Sequence, residues 1–234
     1  MAKGRVALVT GAGRGIGRAT ADALAAEGFR VILAELRPQL GRRAARALAQ
    51  RGTEALFIET DVADARSVRR MATEVRRRVG HLDCLVNNAG VLEPGPLTRV
   101  REEAVQRMLA VNLAGPVLVT RALLPLMRRR RQAAIVNVAS LLGKFGMADY
   151  VTYCASKFGV VGFTEALAAE LQDTDIGVWA VCPGQVDTPL AWKTGVAPDE
   201  RKSLIRPESV ARVIAQLVMG RRRERSGAAI DVTR

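Results

Sequence analysis

The chain has 234 residues, 49% of them hydrophobic, and a formal net charge of +13. That length suits one large domain or two small ones, with enough apolar material for a sizeable core if it folds as one unit. No uninterrupted apolar run reaches the roughly 18 residues of a membrane span, and Met1-Ala2-Lys3-Gly4 lacks a secretory signal's apolar core and cleavage site, so a cytoplasmic protein is expected.

Three widely spaced cysteines (Cys84, Cys154, Cys182) read as buried, reduced thiols rather than a disulfide framework. A single histidine, His81, argues against multi-histidine metal sites and Ser-His-Asp hydrolysis. The basic excess is mostly arginine in short clusters, Arg76–Arg78, Arg128–Arg131 and Arg221–Arg223. The first two close helix-like segments, where cations complement the helix dipole. No aromatic residues interleave with them, so they read as solvated helix ends, not a nucleic-acid surface. With no linker, repeat or low-complexity stretch, residues 1–234 are expected to form a single domain.

Arg5–Thr10 is a short apolar run suited to a buried parallel strand. Gly11-Ala12-Gly13-Arg14-Gly15-Ile16-Gly17 follows it, and a helical pattern then runs to Glu27 and stops at Gly28. Strand, glycine turn and helix N-terminus together make a phosphate-binding arrangement. The spacing is T-G-x-x-x-G-x-G rather than G-x-G-x-x-G, because positions 16 and 18 are Ile and Arg. Phe29–Leu36 is a second strand with Glu35 near its end, and Pro38–Arg51 is an amphipathic helix. Glu54–Thr60 is a third strand closed by Asp61-Val62, and Ala65–Val79 is a helix. Leu82–Val86 is a fourth strand, followed by Asn87-Asn88-Ala89-Gly90. Arg101–Arg131 is helical, with Asn112 inside it and a kink expected at Gly115-Pro116. Ala133–Val138 is a fifth strand reaching Ser140, Tyr150–Gln172 a helix, and Ile176–Val181 a sixth strand leading into Cys182-Pro183-Gly184. A loop over about 185–207 precedes a helix at Glu208–Met219 and a last strand at Ala228–Val232. The alternation defines an α/β fold, doubly wound, with a mainly parallel seven-stranded sheet and helices on both faces. Glu35, Asp61, Asn87, Ser140 and Pro183 all fall at the carboxyl ends of strands, where ligands sit in such sheets.

Tyr153 and Lys157 are four residues apart and share one helix face. An ammonium beside a phenol favours the phenolate, so the pair is a candidate general acid/base with a lowered tyrosine pKa.

These motifs, in order and spacing, resemble the short-chain dehydrogenase/reductase family over nearly the whole chain. The residues that carry the resemblance are Thr10-Gly11-x-x-x-Gly15-Ile16-Gly17, Asp61-Val62, Asn87-Asn88-Ala89-Gly90, Asn112, Ser140, Tyr153-x-x-x-Lys157 and Pro183-Gly184 with Thr188. Ser140 precedes Tyr153 by 13 residues, the family's usual spacing. The loop after Pro183-Gly184 is short and the chain ends soon after its last strand, which departs from the family's long lid and tail. The resemblance implies a Rossmann sheet and hydride transfer between a nicotinamide cofactor and an alcohol or ketone. It implies that Tyr153 relays the substrate proton, Lys157 lowers its pKa and holds the nicotinamide ribose, Ser140 bonds the substrate oxygen, and Asn112 holds a water. Gly11, Arg14, Gly15, Ile16, Gly17, Glu35, Asp61, Val62, Asn88, Ala89, Gly90, Pro183, Gly184, Val186 and Thr188 would line the cofactor, with Tyr153 and Lys157; Asn87 and Asn88 would also tie neighbouring strands. No metal is implied.

NAD is expected over NADP, which stays possible. Glu35 lies 18 residues after Gly17, near the place where an acidic residue meets the adenosine ribose 2′-hydroxyl. Leu36 adds no cation there, whereas Arg14 and Arg37 are counter-signals. Leu141, Leu142, Met147, Leu190 and Trp192 flank the catalytic positions, so the substrate pocket should be apolar. A homo-oligomer, dimer or tetramer, is implied through the helices at Asn112–Arg131 and Tyr150–Gln172. Leu113, Val117, Phe158, Phe163 and Leu167 are interface candidates. The 185–207 loop, with Gly195, Pro198 and mixed charge, should be a mobile lid. No nucleic-acid or membrane partner is expected. A 3-oxoacyl-carrier reductase, an epimerase or dehydratase of the extended type, and a non-catalytic cofactor-binding regulator are the alternatives. The intact Ser140, Tyr153 and Lys157 argue against the last.

Overall fold

A strand covered on both faces cannot alternate apolar with polar residues, and β1 (Val6–Thr10) is buried along its whole length. Val6 and Leu8 enter the core on one side of the sheet; Ala7 and Val9 enter the core on the other. The computed structural model describes residues 4–128, 130 and 132–233. Arg129 and Arg131 of the second arginine cluster, and the opening tripeptide, lie outside the described residues. Six further strands join β1: β2 (Arg30–Glu35), β3 (Ala55–Glu59), β4 (Cys84–Asn87), β5 (Ala133–Val138), β6 (Ile176–Pro183) and β7 (Ala229–Val232). Their order is β3-β2-β1-β4-β5-β6-β7. Every pairing is parallel, not merely most of them.

Helices α1 (Gly15–Ala26), α2 (Pro38–Ala49) and α8 (Pro207–Val218) cover one face through residues such as Leu24, Leu48 and Ile214. Helices α3 (Ala65–Arg78), α5 (Gly115–Met127) and α6 (Val151–Glu170) cover the other through Met71, Leu123 and Leu167. The order reverses at β1, which has β2 on one side and β4 on the other. The loops after β1 and β4 therefore part, and a crevice opens above the strand ends. Asp64 caps α3 by accepting from the Arg66 and Ser67 amides at 2.8 and 3.2 Å. The arginines at 76–78 do close that helix.

Two expectations need correction. The long helix is not kinked by Gly115-Pro116 alone. Its first part, α4 (Glu102–Leu109), passes through a wide π turn at Ala110–Ala114 before α5 begins. Pro116, four residues after Asn112, cannot donate to its carbonyl, and the Asn112 side chain makes the tertiary bonds described below. The 185–207 segment is also more ordered than its composition implies. Val186 bridges Ile205, α7 occupies Pro189–Trp192, and a 3₁₀ turn occupies Glu200–Ser203. The stretch Glu102–Met127 is long and apolar enough to cross a membrane by length and composition. Its buried face, with Met108, Val119, Leu123 and Met127, packs within the protein.

Buried amides link the middle of the sheet to its helices. The Asn87 Nδ2 donates to Asn137 Oδ1 at 2.8 Å and to Thr120 Oγ1 at 3.0 Å. The Asn137 Nδ2 donates to Thr164 Oγ1 at 2.9 Å. Asn87 and Asn137 are register partners on β4 and β5, so one polar chain ties two strands to α5 and α6. Asn137→Ala would leave buried partners short of a bond at about 1–3 kcal/mol. Thermal unfolding should show a Tm lowered by several degrees, and an unchanged Tm would contradict this role.

Candidate active site

The glycine turn is shaped by what presses against it. Gly11 has φ 62° and Gly15 φ 56°, both in the left-handed region. A Cβ on Gly17 would run into the Asn88 amide and the Gly11 carbonyl. Asn88 Nδ2 donates to the Thr10 and Gly11 carbonyls at 2.9 and 3.2 Å. Thr10 Oγ1 accepts from the Asn88 and Ala89 amides at 2.9 and 3.0 Å. The motif after β4 thus clamps the motif after β1, and Asn88 spends its side chain on that clamp. Helix α1 begins beside it with no side-chain cap and no acid in its first turn. Its free N–H groups and positive dipole end suit a pyrophosphate.

The cleft above the turn has a volume of about 600 Å³, within the ~300–1,000 Å³ range of ligand sites. Gly11, Arg14, Gly15 and Ile16 line its floor; Gly17 stands behind them, packed on Asn88. At one end the cleft is lined by Glu35, Leu36, Arg37, Asp61 and Val62. Glu35 is 6% exposed, and its carboxylate accepts from the Gly13 and Arg37 amides, each at 3.0 Å. It is held in place before any ligand arrives. Burial, and repulsion from Arg37, lower the pKa of Arg14, while Glu35 raises it. Asp61 accepts from Arg107 at 3.1 and 3.3 Å and from the Ala63 amide at 2.9 Å. Arg107 also lines the cleft. Sequence reasoning missed it, because nothing in its spacing ties a residue of α4 to the end of β3.

At the other end stand Ser140, Tyr153 and Lys157, with Asn88, Ala89, Gly90, Pro183, Gly184, Val186 and Thr188 between the two ends. Ser140 follows β5, and its Oγ accepts from the Leu142 amide at 3.1 Å. Its side chain also faces the Tyr153 phenol. The Lys157 Nζ donates to the Val138 carbonyl at 2.8 Å and lies 5.7 Å from the Tyr153 ring centroid. Thr188 caps α7, and its methyl group packs over Gly15. The lid therefore starts in contact with the glycine turn.

Two further expectations change. Burial pushes the Tyr153 phenol up to about 12, with the Ser140 bond pulling the other way. Burial brings the Lys157 ammonium down to about 8. The lysine does not depress the tyrosine in the protein alone, because both charged forms lose their water and the ammonium sits below the ring rather than at the phenol oxygen. The Asn112 side chain is bonded within the protein, to partners its local sequence does not announce. Its Nδ2 donates to the Val91 carbonyl at 2.9 Å and to Ser156 Oγ at 3.2 Å, and its Oδ1 accepts from the Val91 amide at 2.8 Å. Asn112 is absent from the cleft lining; it pins the π turn to the loop after β4 and to α6.

The family described as short chain dehydrogenase matches residues 5–198. The chain is 40% identical over 223 residues to cis-4-hydroxycyclohexanecarboxylate dehydrogenase of Sinomonas cyclohexanicum, covering 91% of this chain and 88% of that one. It is 35% identical to a 3-oxoacyl-acyl-carrier-protein reductase of Thermotoga maritima, over 91% and 89%. The crystal structure of levodione reductase superimposes with a TM-score of 0.90 at 28% identity, over 97% of this chain and 95% of that one. The chain belongs to the short-chain dehydrogenase/reductase family. It is an oxidoreductase of alcohols and ketones that works with a nicotinamide cofactor. The residues present fit that cofactor: an uncapped helix end for phosphates, a fixed carboxylate for a ribose, and a buried ammonium at the far end.

The buried lysine makes stability depend on pH. Its folded pKa lies below the unfolded value of 10.5, so between about pH 8 and 10.5 the unfolded chain holds more protons. Stability from this group rises with pH across that window. Lys157→Met should therefore raise the Tm of the cofactor-free protein most at pH 7, and the gain should shrink toward pH 10. A gain that grows with pH would overturn the assignment of the buried charge.

Proposed function

We propose that the whole chain acts as one cofactor-binding and catalytic unit, NAD(H)-preferring, that interconverts a secondary alcohol and a ketone with Tyr153 as general acid/base. The observation that carries this is one continuous cleft with Ser140, Tyr153 and Lys157 at one end and the fixed Glu35 carboxylate at the other. The bound nicotinamide supplies or accepts the hydride. Ser140 donates a hydrogen bond to the substrate oxygen, where negative charge develops. Tyr153 gives its phenolic proton to that oxygen in reduction and takes it back in oxidation. Lys157 holds the nicotinamide ribose and keeps positive charge beside the phenol. Asn112 acts through position, by fixing Val91 and Ser156. Glu35 would accept from a ribose 2′-hydroxyl and repel a phosphate there, against the pull of Arg14 and Arg37.

Residues 185–207 form the substrate loop, closing over the bound pair. The chain assembles as a cytoplasmic dimer or tetramer through α5 and α6. Val117 and Phe158 are exposed, at 37% and 45%, and are the apolar residues free for that contact. Leu167 is buried, and Leu113 and Phe163 pack mainly against the protein's own core. A second reading, reduction of 3-oxoacyl groups on an acidic carrier, is favoured by the arginine face of α3, with Arg66, Arg69, Arg70 and Arg77 exposed. Preference for the carrier-bound over the free thioester would select it.

Tyr153→Phe should reduce turnover by at least a thousandfold while cofactor affinity changes less than threefold; substantial residual activity would refute the proton relay. In reduction the protonated phenol is the reactive form, and it persists to about pH 12. Reduction should hold its rate from pH 6 to 8, whereas kcat/KM for alcohol oxidation should climb with pH. A flat oxidation profile would count against Tyr153 as the base. The ratio of kcat/KM for NAD over NADP should exceed ten, and Glu35→Ala should lower it; a tenfold preference for NADP would sink the cofactor assignment.

A further inference from the structure

The end of the cleft beside Ser140 and Tyr153 differs in character from the end beside Glu35. Arg14, Arg37 and Arg107 line the cofactor end. Among the described residues, the side chains that line the substrate end carry no cation except Lys157. That ammonium is 4% exposed and already donates to the Val138 carbonyl. Two nearby cations are engaged elsewhere. Lys144 pairs with Asp231 and donates to the Ala229 carbonyl. Arg201 stacks on Trp192, its guanidinium 4.2 Å from the ring centroid.

What does line this end is apolar. Leu92 packs with Tyr153, and Leu142, Tyr150 and Leu190 pack against them. Phe145 and Met147, each 49% exposed, stand at the mouth on the loop between β5 and α6. The polar pair at the lid, Gln185 and Thr194, bond to each other at 3.3 Å. A substrate oxygen must reach Tyr153, which is only 8% exposed. Its carbon body must then pass Leu142 and Leu190 and emerge against Phe145 and Met147.

Resting on the oxidoreductase reading above, we propose that the substrate is neutral with an apolar body, and that this wall rejects anionic substrates. The physical reason is desolvation. A carboxylate on the body would lose its water among leucines with no counter-ion, whereas an ester or alkyl group in the same place gains apolar contact. Charge selection thus comes from the wall, while the carbonyl itself is read by Ser140 and Tyr153.

A matched pair tests this without requiring chemistry. The protein is saturated with oxidised cofactor, which cannot reduce a ketone, and methyl 4-oxocyclohexanecarboxylate and the free 4-oxocyclohexanecarboxylate are titrated calorimetrically. The ester should bind at least tenfold more tightly. Leu190→Lys should narrow or reverse the ratio by placing a cation on the wall. Equal or tighter binding of the free acid to the unaltered protein, or no binding of either compound, overturns the proposal. Turnover is read separately with reduced cofactor. An ester that binds but is not reduced would defeat the oxidoreductase reading and leave the charge selection standing.

Discussion

The site depends on a buried positive charge that has no carboxylate partner. Lys157 is 4% exposed, and among the described residues no acidic side chain pairs with it. Removing an ammonium from water costs several kcal/mol even after relaxation, and the depressed pKa records that cost. Only a rigid frame can hold the group in this position. The Val138 carbonyl at the end of β5 receives one of its protons. Gly143 permits the close approach of the preceding turn, since a Cβ there would press on the Lys157 carbonyl at 2.8 Å. Helix α6 fixes its spacing from Tyr153. This costly group lines the cleft beside Ser140 and Tyr153.

That frame explains which parts of the fold were legible in the sequence. The central strands β1, β2, β4 and β5 are buried almost throughout, so they read as mainly apolar runs, and residues such as Glu35 and Ser140 stand out where the runs end. The glycine turn was legible because Gly11 and Gly17 are forced, one by its backbone angle and the other by contact with Asn88. Tyr153 and Lys157 share a face by helix geometry alone. Their placement in the cleft with Ser140 needs only the rule that ligands meet strand ends.

What escaped was everything set by contacts between distant segments. Within the π turn Asn112 exchanges two bonds with the Val91 backbone, 21 residues away. The local sequence does not name that partner. Arg107 reaches Asp61 across 46 residues, and its neighbours in α4 look like any exposed helix face. The tyrosine pKa failed for a related reason. Spacing predicts that two groups are near, but it is silent about the water they lose. Desolvation is the largest cause for both, raising the phenol and lowering the ammonium.

The segment after β6 is ordered by bonds along its own length and by contacts with the cleft. Its order comes from short-range bonds: Trp192 donates to Asp187 at 2.8 Å, Thr188 caps α7, and Arg201 lies over the Trp192 ring. It meets the main body at its roots, Val186 and Ile205, which are buried in the core beside the sheet, and at Leu190, which packs against the Tyr153 cluster, while Trp192 stays 38% exposed. Thr188 sits at the first root with its methyl on Gly15. Leu190, two residues further on, packs against the cluster that holds Tyr153, so one short segment touches both the glycine turn and the tyrosine.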